Sequence, residues 1–241
     1  IILVDSFERK PIGRPWVTLA IDITSRMVTG YHVSFEAPSR LSVALCLAHA
    51  VAPKAELLAD LECAVPWPAQ GKPRSIHVDN GRDFRSQAFQ SACAEWGINL
   101  VYRPPGSPHF GGHIERLIGT MMGAVHLLPG TTQSSVAAKG GYDAEANAAM
   151  TLREFDLWFA LEICRYNNSI HSSLNCTPVA KWDALAGEMS GDIPFDMEAF
   201  RVSFLPSEQR QVRRDGIHLF DLRYWSDALA GYVGRRDGKV V

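Results

Sequence analysis

The chain has 241 residues, 46% of them hydrophobic and 21% charged, with a formal net charge of −2. That composition suits a folded domain of ordinary size plus a small second one, and excludes a low-complexity or strongly basic chain. The longest apolar runs, such as Val43 to Val51, are too short to span a bilayer, and no basic-then-apolar leader precedes them. The five cysteines are scattered with no C-x-x-C pair, which argues against a structural zinc site or a disulfide framework and suits a reduced, cytoplasmic protein.

Taken in order, Ile1 to Val4 predicts a strand end and Asp5 to Arg14 a polar connection, with Asp5 a solvated turn residue. Trp16 to Ile23 and Met27 to Ser34 alternate around Thr24-Ser25-Arg26 and predict a hairpin. Asp22 ends its first strand and is expected to brace the turn and pair with Arg26. Ser39 predicts the N-cap of a helix whose apolar face is Leu41, Leu45 and Ala48; Ala55 to Cys63 predicts a short helix. Ser75 to Val78 predicts a short buried strand with Asp79 at its C-terminal end. A helix from about Ser86 stops at Gly97, and Ile98 to Tyr102 is a further strand. This order of strands and helices predicts a mixed sheet with helices on both faces.

Arg103 to Gly112 is crowded with Pro and Gly and is a candidate lid. From His113 a helix places Ile114, Leu117, Ile118, Met121, Met122 and Val125 on one stripe, with Glu115 about 100° round from Ile114 at the stripe's edge. Pro129 to Ala149 lacks any period and predicts an insertion. Thr151 to Glu154 is a capping box opening a helix with Phe155, Phe159 and Ile163 on its apolar face. Thr177-Pro178 starts another helix, and His171 is expected to pack or cap rather than to catalyse. Gly191 to Glu198 predicts a linker, after which short alternating segments, beginning with Arg201 to Leu205, predict a β-rich end. Residues 201–241 carry eight Arg/Lys against five Asp/Glu, a mildly basic balance that fits either a DNA-phosphate face or a solvated surface.

Two carboxylates stand out. Asp79 in HVDNGRDF and Glu115 in PPGSPHFGGHIERL are separated by thirty-five residues, one at a strand end and one in a helix's first turn. With a third carboxylate from a neighbouring strand, they could hold two hard divalent cations roughly 3.5–4 Å apart and drive in-line attack at a phosphodiester.

These two phrases resemble the catalytic domain of retroviral integrases and DDE transposases, and most of all the Mu-type and TniA/TnsB-type bacterial enzymes. The segment Tyr166-Asn167-Asn168, His171, Leu174, Thr177-Pro178 and Trp182 is similar to a tail found in many of them. The resemblance implies an α/β ribonuclease-H-like core over residues 1–190, a linker at 191–199, and from 200 to 241 the start of a small, partial β-barrel. It implies Asp79 and Glu115 as catalytic metal ligands for two Mg2+ or Mn2+ ions; His113 and Arg116, which flank Glu115, are candidate DNA-phosphate contacts or, equally, first-turn surface residues. The implied reactions are hydrolysis at transposon ends and strand transfer into target DNA, by a multimer, in a bacterial cytoplasm, with other transposition proteins as possible partners and no membrane. In the family the first aspartate lies on the opening strand, a few residues ahead of a segment like Ile1 to Asp5. The chain is therefore expected to lack it, and to be inactive by itself. Two alternatives stay open: a non-catalytic DNA-binding or assembly fragment, and another ribonuclease-H-like nuclease with its acids at other spacings.

Overall fold

A computed structural model describes residues 1–79, 81, 84–104, 111–132, 141–185, 196–206, 210–234 and 239–240. The chain divides into two compact units, Ile1–Leu205 and Pro206–Val241.

In the first unit β1 (Leu3–Val4) pairs antiparallel with β2 (Pro11–Gly13), and β3 (Trp16–Ile21) with β4 (Val28–Ser34). β5 (Ser75–Val78) and β6 (Asn99–Tyr102) run parallel, with Ser75 opposite Asn99 and Val78 opposite Tyr102. The expected single mixed sheet is therefore not formed among the described residues: the strands stand as separate two-stranded ladders. β5 is also less buried than its apolar sequence predicts, for only Val78 is fully covered while Ser75 and His77 are exposed. The cause is physical. A large cavity is lined by both β3 and β5, so the edge of β5 meets open space where a neighbouring strand would cover it.

Helices follow from their caps. α1 (Arg40–Val51) begins after Ser39, whose backbone N–H donates to Ser42 Oγ at 3.0 Å. Its buried apolar side chains are Ala44, Cys46, Leu47, Ala50 and Val51 rather than the expected Leu41, Leu45 and Ala48, which are half-buried. The helix is apolar nearly all round, so packing and not pattern chooses the face. Gly30 of β4 makes that packing possible, since a Cβ there would lie 2.6 Å from the backbone nitrogen of Ala50. α2 spans Ala55–Asp60. α3 (Gln87–Glu95) starts at Ser86, whose hydroxyl accepts from Phe89 N, and ends at Gly97 with φ +65°.

α4 (Gly112–Val125) buries Leu117, Met121 and Val125, while Ile118, expected on the same stripe, is 44% exposed. α5 (Leu152–Asn167) opens on the predicted capping box: Thr151 Oγ1 accepts from Glu154 N at 3.2 Å, and Glu154 Oε2 accepts from Thr151 N at 2.7 Å. α6 (Pro178–Ala184) is capped by Thr177, whose hydroxyl accepts from Ala180 N. α7 (Met197–Phe204) replaces the alternating segment expected at Arg201 to Leu205. Asp196 Oδ1 accepts from Ala199 N to cap it, and Phe200 and Phe204, four apart, are both buried.

Two apolar clusters hold this unit. One joins Leu3, Met27, Val28 and Tyr31 to Leu117, Met121, Phe155, Phe159 and Ile163; the other joins α1, α3 and α7 through Leu47, Val51, Phe89, Phe200 and Phe204. Asn167 ties α5 to β4: its Oδ1 accepts from Val28 N at 2.9 Å and its Nδ2 donates to Val28 O at 3.1 Å.

In the second unit β7 (Arg210–Gln211) pairs with β10 (Lys239–Val240), and β8 (Ile217–Leu219) forms a hairpin with β9 (Leu222–Tyr224). No closed barrel is present among the described residues. The middle of the candidate lid (105–110), part of the expected insertion (133–140) and residues 191–195 of the expected linker lie outside them. No described helix is long and apolar enough to cross a membrane.

Candidate active site and anion pocket

β5 ends where Arg103 N donates to Val78 O at 2.9 Å, and Asp79 projects from the position just beyond. Its Oδ1 accepts from Gly81 N at 2.8 Å, an Asx turn that holds the carboxylate at the strand end while leaving it exposed to solvent. The parallel partner β6 braces this strand end, with Tyr102 OH donating to Phe84 O at 2.7 Å. Asp79 lines a cavity of about 620 Å3 whose other walls include β3, Asp22, Arg103, and His113 and Ile114 from the first turn of α4. Gly111 precedes that turn because Arg103 crosses it; a Cβ there would lie 1.8 Å from Arg103 Nη2.

Of the residues singled out from sequence, Asp79 and His113 are thus brought to one cavity. Glu115 lies in the first turn of α4, exposed, and does not line that cavity. His113 and Arg116 together line a second cavity of about 380 Å3 on the other side of the helix start. His113 titrates below the usual imidazole range, first because it is partly buried and then because Arg26, Arg116 and His171 face it.

Asp22 opens into the first cavity, yet one of its oxygens is already committed: Oδ2 accepts from Thr24 N, Ser25 N and Ser25 Oγ at 3.0, 2.6 and 2.8 Å. It is the expected turn brace. The expected pairing with Arg26 is made through the backbone, Arg26 N donating to Asp22 O at 2.9 Å, but no ion pair joins the two side chains among the described residues, and Arg26 Nη1 is buried without a hydrogen-bond partner. The reason is local: Arg26 sits at φ +62°, which sends its side chain toward α4 and α5. Asp5 is the expected turn residue, its carboxylate accepting from the N–H groups of Phe7, Glu8 and Lys10.

The carboxylates have the donor chemistry that magnesium or manganese takes, hard anionic oxygen. Among the described residues, however, no group of three or more His, Cys, Asp or Glu side chains is placed to hold a metal ion.

A family model for the TnsB C-terminal domain matches residues 1–130, more than half of the chain. The chain belongs to the TnsB family of transposases. A second model, the C-terminal part of Mu transposase, matches residues 201–241. The transposase for transposon Tn552 of Staphylococcus aureus is 30% identical over 94% of this chain and 44% of its own length. The transposon Tn7 transposition protein TnsB of Escherichia coli is 26% identical over 93% of this chain and 34% of its own length. The chain therefore spans less than half the length of these relatives. Likeness to the catalytic core domain of BIV integrase is weak, with a TM-score of 0.40 and 17% identity over 77% of this chain and 93% of that one.

Two features escaped sequence reasoning. Arg26 and His171 join His113 and Arg116 around one pocket, and the only sequence signal is the Ser25-Arg26 pair after Asp22. The Asn167 clamp on Val28 is hinted at by the Tyr166-Asn167 pair alone.

Proposed function

We propose that residues 1–190 form the ribonuclease-H-like catalytic core of a DNA transposase, with Asp79 and Glu115 as two of its metal-binding carboxylates. On this proposal 191–199 are a linker and 200–241 begin a small β-barrel. Family membership supports the assignment, but the observation that carries it is Asp79: a carboxylate at the C-terminal end of a parallel strand, on the wall of a 620 Å3 cavity reached by the first turn of α4. The open ends of parallel strands are where α/β folds gather ligands.

When bound, Mg2+ or Mn2+ supplies an activated water or DNA 3′-hydroxyl and neutralises charge on the leaving oxygen. The chain's own residues do the rest. Asp79 and Glu115 furnish anionic oxygens to the ions. The Gly81 N–H fixes one Asp79 oxygen and leaves the other for a ligand. The Arg103 guanidinium on the same wall supplies positive charge toward a phosphodiester. The products are hydrolysed transposon ends and, after strand transfer, joined target DNA; the working form is a multimer on paired DNA ends in a bacterial cytoplasm, with other transposition proteins alongside.

Two carboxylates alone would hold an ion loosely, so the chain by itself is expected neither to cleave nor to join DNA. Robust manganese-dependent nicking by the purified chain would overturn that. One observation favours a second reading, a non-catalytic DNA-binding or assembly role: Glu115 stays outside the cavity that Asp79 lines. Calorimetric Mg2+ and Mn2+ titration separates the two. Binding that vanishes in Asp79→Asn and in Glu115→Gln supports the catalytic assignment; binding indifferent to both substitutions removes it.

A further inference from the structure

The second cavity differs from the first in its charge. Its walls come from four separate places: the β3–β4 turn with Arg26, the start of α4 with His113 and Arg116, the end of α5 with Arg165, and the following loop with His171. No carboxylate is among its lining residues. Arg165 is already neutralised, since its guanidinium forks onto both oxygens of Glu162. The other two arginines have no such partner among the described residues, and Arg26 goes further. Its Nη1 is buried with no acceptor at all. Burial leaves this guanidinium poorly solvated, a cost in free energy that an anion in the cavity Arg26 lines would offset through its charge.

His171 is oriented for the same purpose. Its Nδ1 accepts from Ser173 N at 3.2 Å, so in the neutral ring the proton sits on Nε2, which becomes a donor. Its ring packs edge-on against Tyr166, centroids 6.3 Å apart. Bringing four cationic or donor groups together with no anion opposes itself electrostatically. The crowding acts on His171, which burial first and then Arg26 and Arg116 hold below the usual imidazole range. An oxyanion would reverse every one of these penalties together. Guanidinium forks suit phosphate, and a cavity of about 380 Å3 admits a phosphate group with its ester arms.

We propose that Arg26, His113, Arg116 and His171 form a phosphate-binding pocket that seats one backbone phosphate of DNA beside, and separate from, the carboxylates. That the phosphate belongs to DNA rests on the transposase assignment; the oxyanion pocket itself does not.

The test uses the whole chain in EDTA, so that it is indifferent to whether Asp79 and Glu115 hold cations. Inorganic phosphate is titrated against chloride at matched ionic strength while thermal unfolding is followed, and a duplex of about 20 base pairs is bound over a range of salt. In the wild-type chain, phosphate at tenfold its Kd raises the midpoint by about 4 °C. Arg116→Gln, an exposed position, and Arg26→Asn, chosen because Asn accepts positive φ, each abolish that rise. Together they weaken duplex binding about tenfold or more and lower the slope of log K against log salt by about one. Arg26→Lys retains part of the effect. Arg153→Gln, an exposed cation at the far end of α5 from the pocket, leaves the phosphate response intact. An absent phosphate response in the wild-type chain overturns the pocket. Phosphate stabilisation lost in the variants with unchanged duplex affinity and salt slope overturns the DNA assignment. An equal loss in Arg153→Gln overturns the specific site in favour of general charge.

Discussion

Replacing Asn167 with Ala is the sharpest test of how the frame of this site is held. Asn167 and Val28 are both fully buried, and the amide both accepts from and donates to the Val28 backbone. Val28 O keeps a second donor, Trp67 Nε1 at 2.8 Å, so the substitution orphans only the Val28 N–H. Two lost hydrogen bonds of about 1 kcal/mol each, plus about 1 kcal/mol for the buried unpaired amide, give a loss near 3 kcal/mol. For a unit of this size that corresponds to a fall in the melting midpoint of roughly 6–12 °C. Trp67→Phe removes the other donor to Val28 O and leaves that carbonyl satisfied by Asn167, so about 1 kcal/mol is expected from its hydrogen bond. Urea denaturation followed by tryptophan fluorescence and circular dichroism gives both free energies, and thermal melts of the same variants give the midpoints. A midpoint for Asn167→Ala within about 2 °C of wild type would refute the reasoning, because no buried amide could then have been left unpaired.

Other outcomes follow from the same geometry. Asp22→Ala removes the acceptor for Thr24 N, Ser25 N and Ser25 Oγ, and is expected to cost about 1–2 kcal/mol. Asp22→Asn keeps a side-chain acceptor and should leave Mn2+ binding unchanged by calorimetry; loss of binding there would make Asp22 a ligand and not a brace. Lys54 is buried, its Nζ donating to the carbonyls of Ala50, Ala52 and Ala69, and burial pushes its pKa down to about 7. Its folded pKa lies below the unfolded one, so between about pH 7 and 10 the unfolded chain binds more protons and this group makes stability rise with pH. Lys54→Met should flatten that slope in denaturant melts from pH 7 to 9, and an unchanged slope would contradict the burial argument. Glu154 is held down to about 2 by Arg9 and by the Thr151 backbone and hydroxyl. Its contribution is present above the ordinary carboxylate range and lost as pH falls toward 2, and Glu154→Gln should remove that part of the acid sensitivity in a pH melt.

Much of the fold could be read from residues that act locally. The Trp16–Ser34 hairpin, the Thr151 capping box and the Thr177-Pro178 helix start all follow from contacts within four residues or across one turn. Failures came where a pattern served two periods. Phe200, Val202 and Phe204 alternate as a strand would, yet Phe200 and Phe204 are also four apart. The deciding fact is that Val202 is 55% exposed while both phenylalanines are buried, which only the helix allows. In α1 the apolar residues encircle the helix, so the buried side is fixed by β4 and Gly30, information absent from the helix's own sequence. The separation of β3 from β5 is a long-range fact of the same kind. At the site, spacing alone led to His113 and Arg116 as neighbours on α4. Arg26 and His171 arrive from distant segments, and no local signal announces that they meet there.

The central claim is that Asp79 and Glu115 serve one ion-binding centre. Paramagnetic broadening by substoichiometric Mn2+ of backbone amide signals tests it most directly, because the effect falls steeply with distance from the ion. If the two carboxylates share an ion, the amides of Gly81 and Arg116, each near one carboxylate, broaden together at the same low Mn2+ ratio, and Asp79→Asn abolishes both. Broadening at one of them alone, or at Arg116 undiminished in Asp79→Asn, would contradict it.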